Sequence, residues 1–148
     1  VGNTDGITIY YEHETGTDQV DAGGVITAIT ASVLSGDFDI TQKRSAQGQF
    51  LGSPDLRGDG EYIMKIRRFL PDFISQTGDT RITLFLRNYP NSSAASSPLG
   101  PFTITSSTDK VDTRARARAI ALKIENTSTS QNWKLGTFRL DIQPDGRR

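Results

Sequence analysis

The sequence predicts an all-β protein, an antiparallel β-sandwich of jelly-roll type with long polar loops. Three observations carry that expectation. The stretch Arg114-Ala-Arg-Ala-Arg-Ala-Ile-Ala-Leu-Lys-Ile124 alternates two residue classes over eleven positions, the period of a strand and not of a helix. Turn residues recur about every ten to fifteen positions, and the segments between them alternate. Helical patterning is scarce: the 61–70 segment suits either period, but its Tyr, Ile and Phe content favours strand and Pro71 ends it.

Taken in order, the candidate strands are 7–14, 25–34, 37–42, 62–69, 81–87, 102–106, 114–125 and 133–142. Within 81–87, Ile82, Leu84 and Leu86 form one apolar face; within 133–142, Phe138, Leu140 and Ile142 do the same. A short turn of helix is expected at 71–75. Segments 44–60 and 88–101 read as long polar loops, suited to surface packing, to binding or to contact with a neighbouring subunit. The end of the chain, 141–148, reads as a turn followed by a basic tail that docks on a partner or frays.

A chain of 148 residues fits one domain able to bury roughly two-thirds of its unfolded surface. No internal repeat or second domain is visible, so residues 1–148 are expected to form a single β-sandwich domain. The first residue is Val1 and the opening Gly-Asn-Thr-Asp-Gly is turn-like, which suggests a fragment of a longer chain. With no cysteine, disulfides and thiolate metal sites are excluded. No apolar run approaches the ~20 residues of a membrane-spanning helix, so no membrane partner is expected.

The formal net charge of zero conceals an asymmetry. Residues 1–60 hold nine acids against Lys43, Arg44 and Arg57, whereas 110–148 hold nine bases against Asp112, Glu125, Asp141 and Asp145. Such a division suits head-to-tail packing of acidic on basic surfaces, unless the fold mixes the two halves.

The alternating stretch places Arg114, Arg116 and Arg118 on one face, followed there by Ile120, Leu122 and Ile124. Ala115, Ala117, Ala119 and Ala121 take the other face. The strand is therefore expected to begin in a basic, wet region and end in an apolar core. Its arginines would meet acids of another chain or phosphates, through the planar fork that suits both. Its small alanines, Ala115, Ala117 and Ala119, would let a second layer approach closely. Trp133 and Phe138 are the expected core anchors.

Catalytic chemistry finds little support. His13, in Tyr10-Tyr-Glu-His-Glu14, is the one histidine available as a base, and a solvated strand-end residue explains it better. One histidine and no cysteine do not make a zinc site. Asp18, Asp21, Asp55 and Asp59 lie in glycine-rich turns that suit a hard cation, but no calcium-loop pattern accompanies them and turn capping is the commoner role. No carboxylate pair stands out for glycoside hydrolysis. No enzyme activity, cofactor or metal is therefore expected. A carbohydrate-binding or adhesin-like sandwich is the alternative function, with Trp133, Tyr62 and Tyr89 as sugar-stacking candidates.

The Arg114–Glu125 stretch, followed by Asn132-Trp-Lys-Leu-Gly136 and the terminal Asp145-Gly-Arg-Arg148, resembles the carboxyl end of tail-nozzle or DNA-stabilisation proteins of short-tailed bacteriophages. Segments Pro71-Asp-Phe-Ile-Ser-Gln76 and Tyr89-Pro-Asn-Ser-Ser93 fit the same pattern more loosely, and residues 1–60 hardly share it. The resemblance implies a structural, non-enzymatic virion protein, in a ring (commonly sixfold) of its own copies around the DNA channel and beside other virion proteins. Arg114, Arg116, Arg118, Arg147 and Arg148 would then contact a neighbouring subunit or DNA.

Overall fold

The computed structural model describes residues 16–20, 23–40, 62–89 and 97–147. The expected all-β class holds: antiparallel strands form several sheets, without a helix among the described residues. The elements are β1 (Asp18–Val20), β2 (Ile26–Ala28), β3 (Ser32–Leu34), β4 (Tyr62–Leu70), β5 (Phe73–Thr77) and β6 (Thr80–Arg87). They continue with β7 (Ser97–Ile104), β8 (Val111–Ala117), β9 (Ala119–Glu125), β10 (Asn132–Leu135) and β11 (Arg139–Arg147).

Two sheets face each other across one core. The first has the order β11-β4-β8, the second β3-β9-β6-β7. Alternation in the central strands points Met64, Ile66 and Phe69 of β4, and Ile82 and Leu84 of β6, into the space between them, all with no solvent exposure. Ile104, Ala115, Ala117, Ile120 and Ile124 close the same cluster. Phe69 links the layers: its ring meets Phe102 of β7 edge-on at 5.5 Å and stacks on Phe138 at 5.4 Å.

The long alternating strand is corrected by the structure. It is two strands in two different sheets, β8 against β4 and β9 against β6, and the chain changes sheet at Arg118. The Arg118 amide donates to Arg87 O at 3.0 Å, which attaches the crossing to the second sheet. A flat strand would put Ile120, Leu122 and Ile124 on the arginine face. The crossing reverses the parity instead: odd residues 113, 115 and 117 point inward in β8, even residues 120, 122 and 124 in β9. Both apolar sets thus reach the core, and Arg114 and Arg116 stay in water.

Other boundaries shift for identifiable reasons. Segment 25–34 divides into β2 and β3, held by Asn126, which is buried, receives the Ala31 amide on Oδ1 at 2.9 Å and donates to Ile29 O at 3.1 Å. From 37–42 the described residues retain one bridge, Phe38 to Ile120. The helical turn expected at 71–75 is instead the start of β5, which pairs with β10. The polar loop expected over 88–101 gives way to β7 from Ser97 onward. Within the segment 141–147 the backbone is a paired strand and not a frayed tail, for β11 pairs with β4 as far as Arg147. Pro144 is accommodated because β11 is an edge strand, and Gly146 supplies the φ of 95° where the register shifts. Strand 7–14, loop 44–60 and His13 lie outside the described residues.

The expected strand 133–142 is likewise broken, into β10 and β11, and the break coincides with the Pro71–Asp72 corner between β4 and β5. The Gly136 amide donates to Asp72 O at 2.7 Å across this bend. A methyl group on Gly136 would lie 2.7 Å from that carbonyl oxygen, which belongs to the backbone and cannot swing away. Gly136→Ala is expected to destabilise the fold by about 1–3 kcal/mol, measured by urea unfolding. Unchanged stability would show that the corner is loosely held.

Candidate functional site

The outer face of the three-stranded sheet gathers charges that are scattered along the chain. From β8 it receives Asp112, Arg114 and Arg116; from β4, Lys65, Arg67 and Arg68; from β11, Asp141 and Asp145. The alternation that buries Met64, Ile66, Ala115 and Ala117 turns their neighbours outward. At Arg67 the register of β4 shifts against both β8 and β11, so that two consecutive arginines leave the core side, Arg67 exposed and Arg68 half-buried.

Three carboxylates are engaged locally. Arg68 Nε lies 3.6 Å from both Asp112 and Asp141, its partners on the flanking strands. Arg116 Nε meets Asp145 at 2.5 Å. Lys65, Arg67 and Arg114 make no ion pair among the described residues. Lys65 sits directly opposite Arg116 on β8 and opposite the uncharged Gln143 on β11. Like charges in facing positions disfavour the pairing, and the Asp145 carboxylate on Arg116 offsets that repulsion.

Two shallow grooves run over this face. One, of about 450 Å³, is lined by Lys65, Arg67, Arg68, Arg114 and Arg116 with Asp112 and Thr113. The other, of about 640 Å³, lies beside it and brings Arg116 and Arg118 together with Tyr89, Asp145, Ile63, Asn88 and Gly146. Tyr89 is 71% exposed. The face is therefore cationic, wet and supplied with one aromatic ring.

The residues singled out in the sequence are placed as follows. Arg114 and Arg116 are exposed on β8, and Arg118 is half-buried at the sheet crossing. Ala115 and Ala117 are buried between the sheets, whereas Ala119 is half-buried at the start of β9. Arg147 ends β11 opposite Tyr62, and Arg148 lies outside the described residues. Trp133 and Phe138 are half-buried against the core, Trp133 edge-on to Phe73 at 6.2 Å. Trp133 Nε1 is buried without an acceptor, a cost offset by the packing of the ring.

Lys65 and Arg67 are the members that linear reading missed, and Tyr89, expected as a sugar-stacking candidate, was not placed beside the arginines. The signal was present for one pair: Arg67-Arg68 interrupts a period-two pattern, as a bulge does. Of the cation candidates, Asp18 accepts the Ser130 amide at 2.7 Å and the Ser130 hydroxyl at 3.2 Å, the capping role. That bond holds Ser130 at a φ of 59°. Asp21, Asp55 and Asp59 lie outside the described residues, and the described ones contain no group of three His, Cys, Asp or Glu side chains able to hold a metal. Of the sugar-stacking candidates, Tyr62 is buried, Trp133 half-buried and Tyr89 exposed.

Fold and face together define an all-β module with a cationic sheet surface. Compared with known proteins, the chain matches no family and no curated relative.

Proposed function

We propose that this chain is a structural, non-enzymatic virion protein of a tailed bacteriophage, assembling with its own copies into a ring, commonly sixfold, in the tail or connector. The virion attribution rests on the resemblance carried by the Arg-x-Arg-x-Arg stretch, the Trp-x-Leu-Gly segment and the Asp-Gly-Arg-Arg terminus. The observation that supports assembly is a concentration of exposed apolar residues in one stretch, with Ile74 and Tyr89 the other large exposed hydrophobics among the described residues. Val20, Val25, Ile26, Val33 and Leu34 are each between 51% and 62% exposed and lie within fifteen residues of one another. Val20 and Ile26 face each other across the β1–β2 pair, so they form a joint patch on a two-stranded ribbon. Such a ribbon is marginal alone and gains from a neighbour that covers it. The other virion proteins of the particle are further partners, and the cationic face of the sheet is turned to the channel.

The test measures mass. The chain is expected to run as a multimer in size-exclusion chromatography with light scattering, and the double variant Val20→Asp, Ile26→Asp as a monomer with an unchanged circular-dichroism spectrum. Ile74→Asp, at an equally exposed site on β5, should leave the multimer intact. A monomeric wild-type chain at high concentration, or a double variant that assembles normally, overturns the proposal.

A further inference from the structure

We infer that the groove over β4 and β8 binds a phosphate monoester, its dianionic group held between the forks of Arg67 and Arg114 with Lys65 beside them. The site is separate from the apolar stretch that supports assembly, and the inference stands whether or not the chain forms rings.

A bulge makes the site. Between the Ile66–Ala115 and Arg68–Asp112 pairs, β4 has a single residue, Arg67, and β8 has two, Thr113 and Arg114. Thr113 is buried and donates its hydroxyl to Ile66 O at 3.1 Å. Arg114 is therefore the residue left outward beside Arg67, and both are exposed. Lys65, two residues before Arg67 on β4, is exposed as well, and all three line one groove of about 450 Å³.

Charge then sets the ligand. Neighbouring guanidinium groups on facing strands repel. Among the described residues no carboxylate pairs with Arg67 or Arg114, whereas Arg116 has Asp145. The acid that lines the groove, Asp112, is engaged by Arg68, which has Asp141 as well. Five cations line the groove, and three carboxylates pair with them, which leaves an excess of two positive charges. A phosphate monoester brings roughly 1.5 to 2 negative charges at pH 7, and three oxygens on which two planar forks and an ammonium can converge. A carboxylate or a backbone phosphodiester carries one charge per group and leaves part of the excess in place. The cluster therefore costs the unliganded fold stability that a bound dianion offsets.

The experiment follows thermal unfolding of the 148-residue chain with phenyl phosphate, alongside sodium chloride of equal ionic strength, acetate and a DNA duplex. Phenyl phosphate at about ten times its dissociation constant, taken from isothermal titration calorimetry, is expected to raise the melting temperature by about 3–5 °C over chloride. Arg67→Gln and Arg114→Gln keep the aliphatic stem and remove the charge, and each should weaken binding roughly tenfold. In chloride each variant should melt at or above the wild-type temperature, because the repulsion is gone; arginines that serve only the fold would give the opposite. Arg81→Gln, on the second sheet, should bind as the wild type does. A rise no larger than that in chloride or acetate, wild-type affinity in both variants, or lower melting of the variants in chloride would each overturn the inference. So would a duplex that stabilises the chain more than phenyl phosphate at the same phosphate concentration.

Discussion

Replacing Phe69 with alanine is expected to remove about 3–5 kcal/mol of stability, read as a lower urea midpoint with the slope unchanged. Phe69 has no solvent exposure, and its ring touches Phe102 from β7 and Phe138 from the approach to β11. Its loss forfeits the transfer of a large apolar side chain and opens a cavity. The surrounding residues cannot fill that cavity, because their backbones are tied into two hydrogen-bonded sheets. Phe69→Leu should recover much of the loss. A loss below about 1 kcal/mol would mean that the sheets do not close on this ring as described.

Ala117→Leu is expected to cost about 1–3 kcal/mol, although it adds apolar surface. Ala117 is fully buried on β8 opposite Met64, and the added carbons have to displace the facing layer. The neighbouring Arg116→Ala provides the contrast. Arg116 is exposed and its pair with Asp145 is screened by water, so that change should cost less than about 1 kcal/mol. Thermal and urea unfolding of the two variants check the inward and outward parity of β8 directly. Equal losses, or a tolerated leucine, would contradict it.

A good part of the candidate face was legible in advance. Period-two alternation marks Arg114 and Arg116 as solvent-facing without any structure, because a strand in a half-buried sheet has only two sides. The remaining members were not legible. Lys65 and Arg67 stand nearly fifty residues earlier, and Tyr89 follows β6 in the second sheet. Only strand pairing joins them to Arg116. Linear reading also kept the 114–125 segment as one strand, since nothing in an unbroken alternation announces a change of sheet. Trp133 to Ile142 shows the same blindness: Gly136 was a single residue in a good pattern, and its meaning came from the Asp72 carbonyl packed against it.

By itself, then, the amino-acid order determined that this protein is built of strands and which residues in each strand seek water, for both are local consequences of side-chain period and shape. The tertiary structure alone decided which strands are neighbours, where the chain passes from one layer to the other, and that six cations from two separate segments share one region of surface. Those depend on pairings between residues far apart in sequence. Such pairings are selected by burial of a common core and not by any pattern within a single segment.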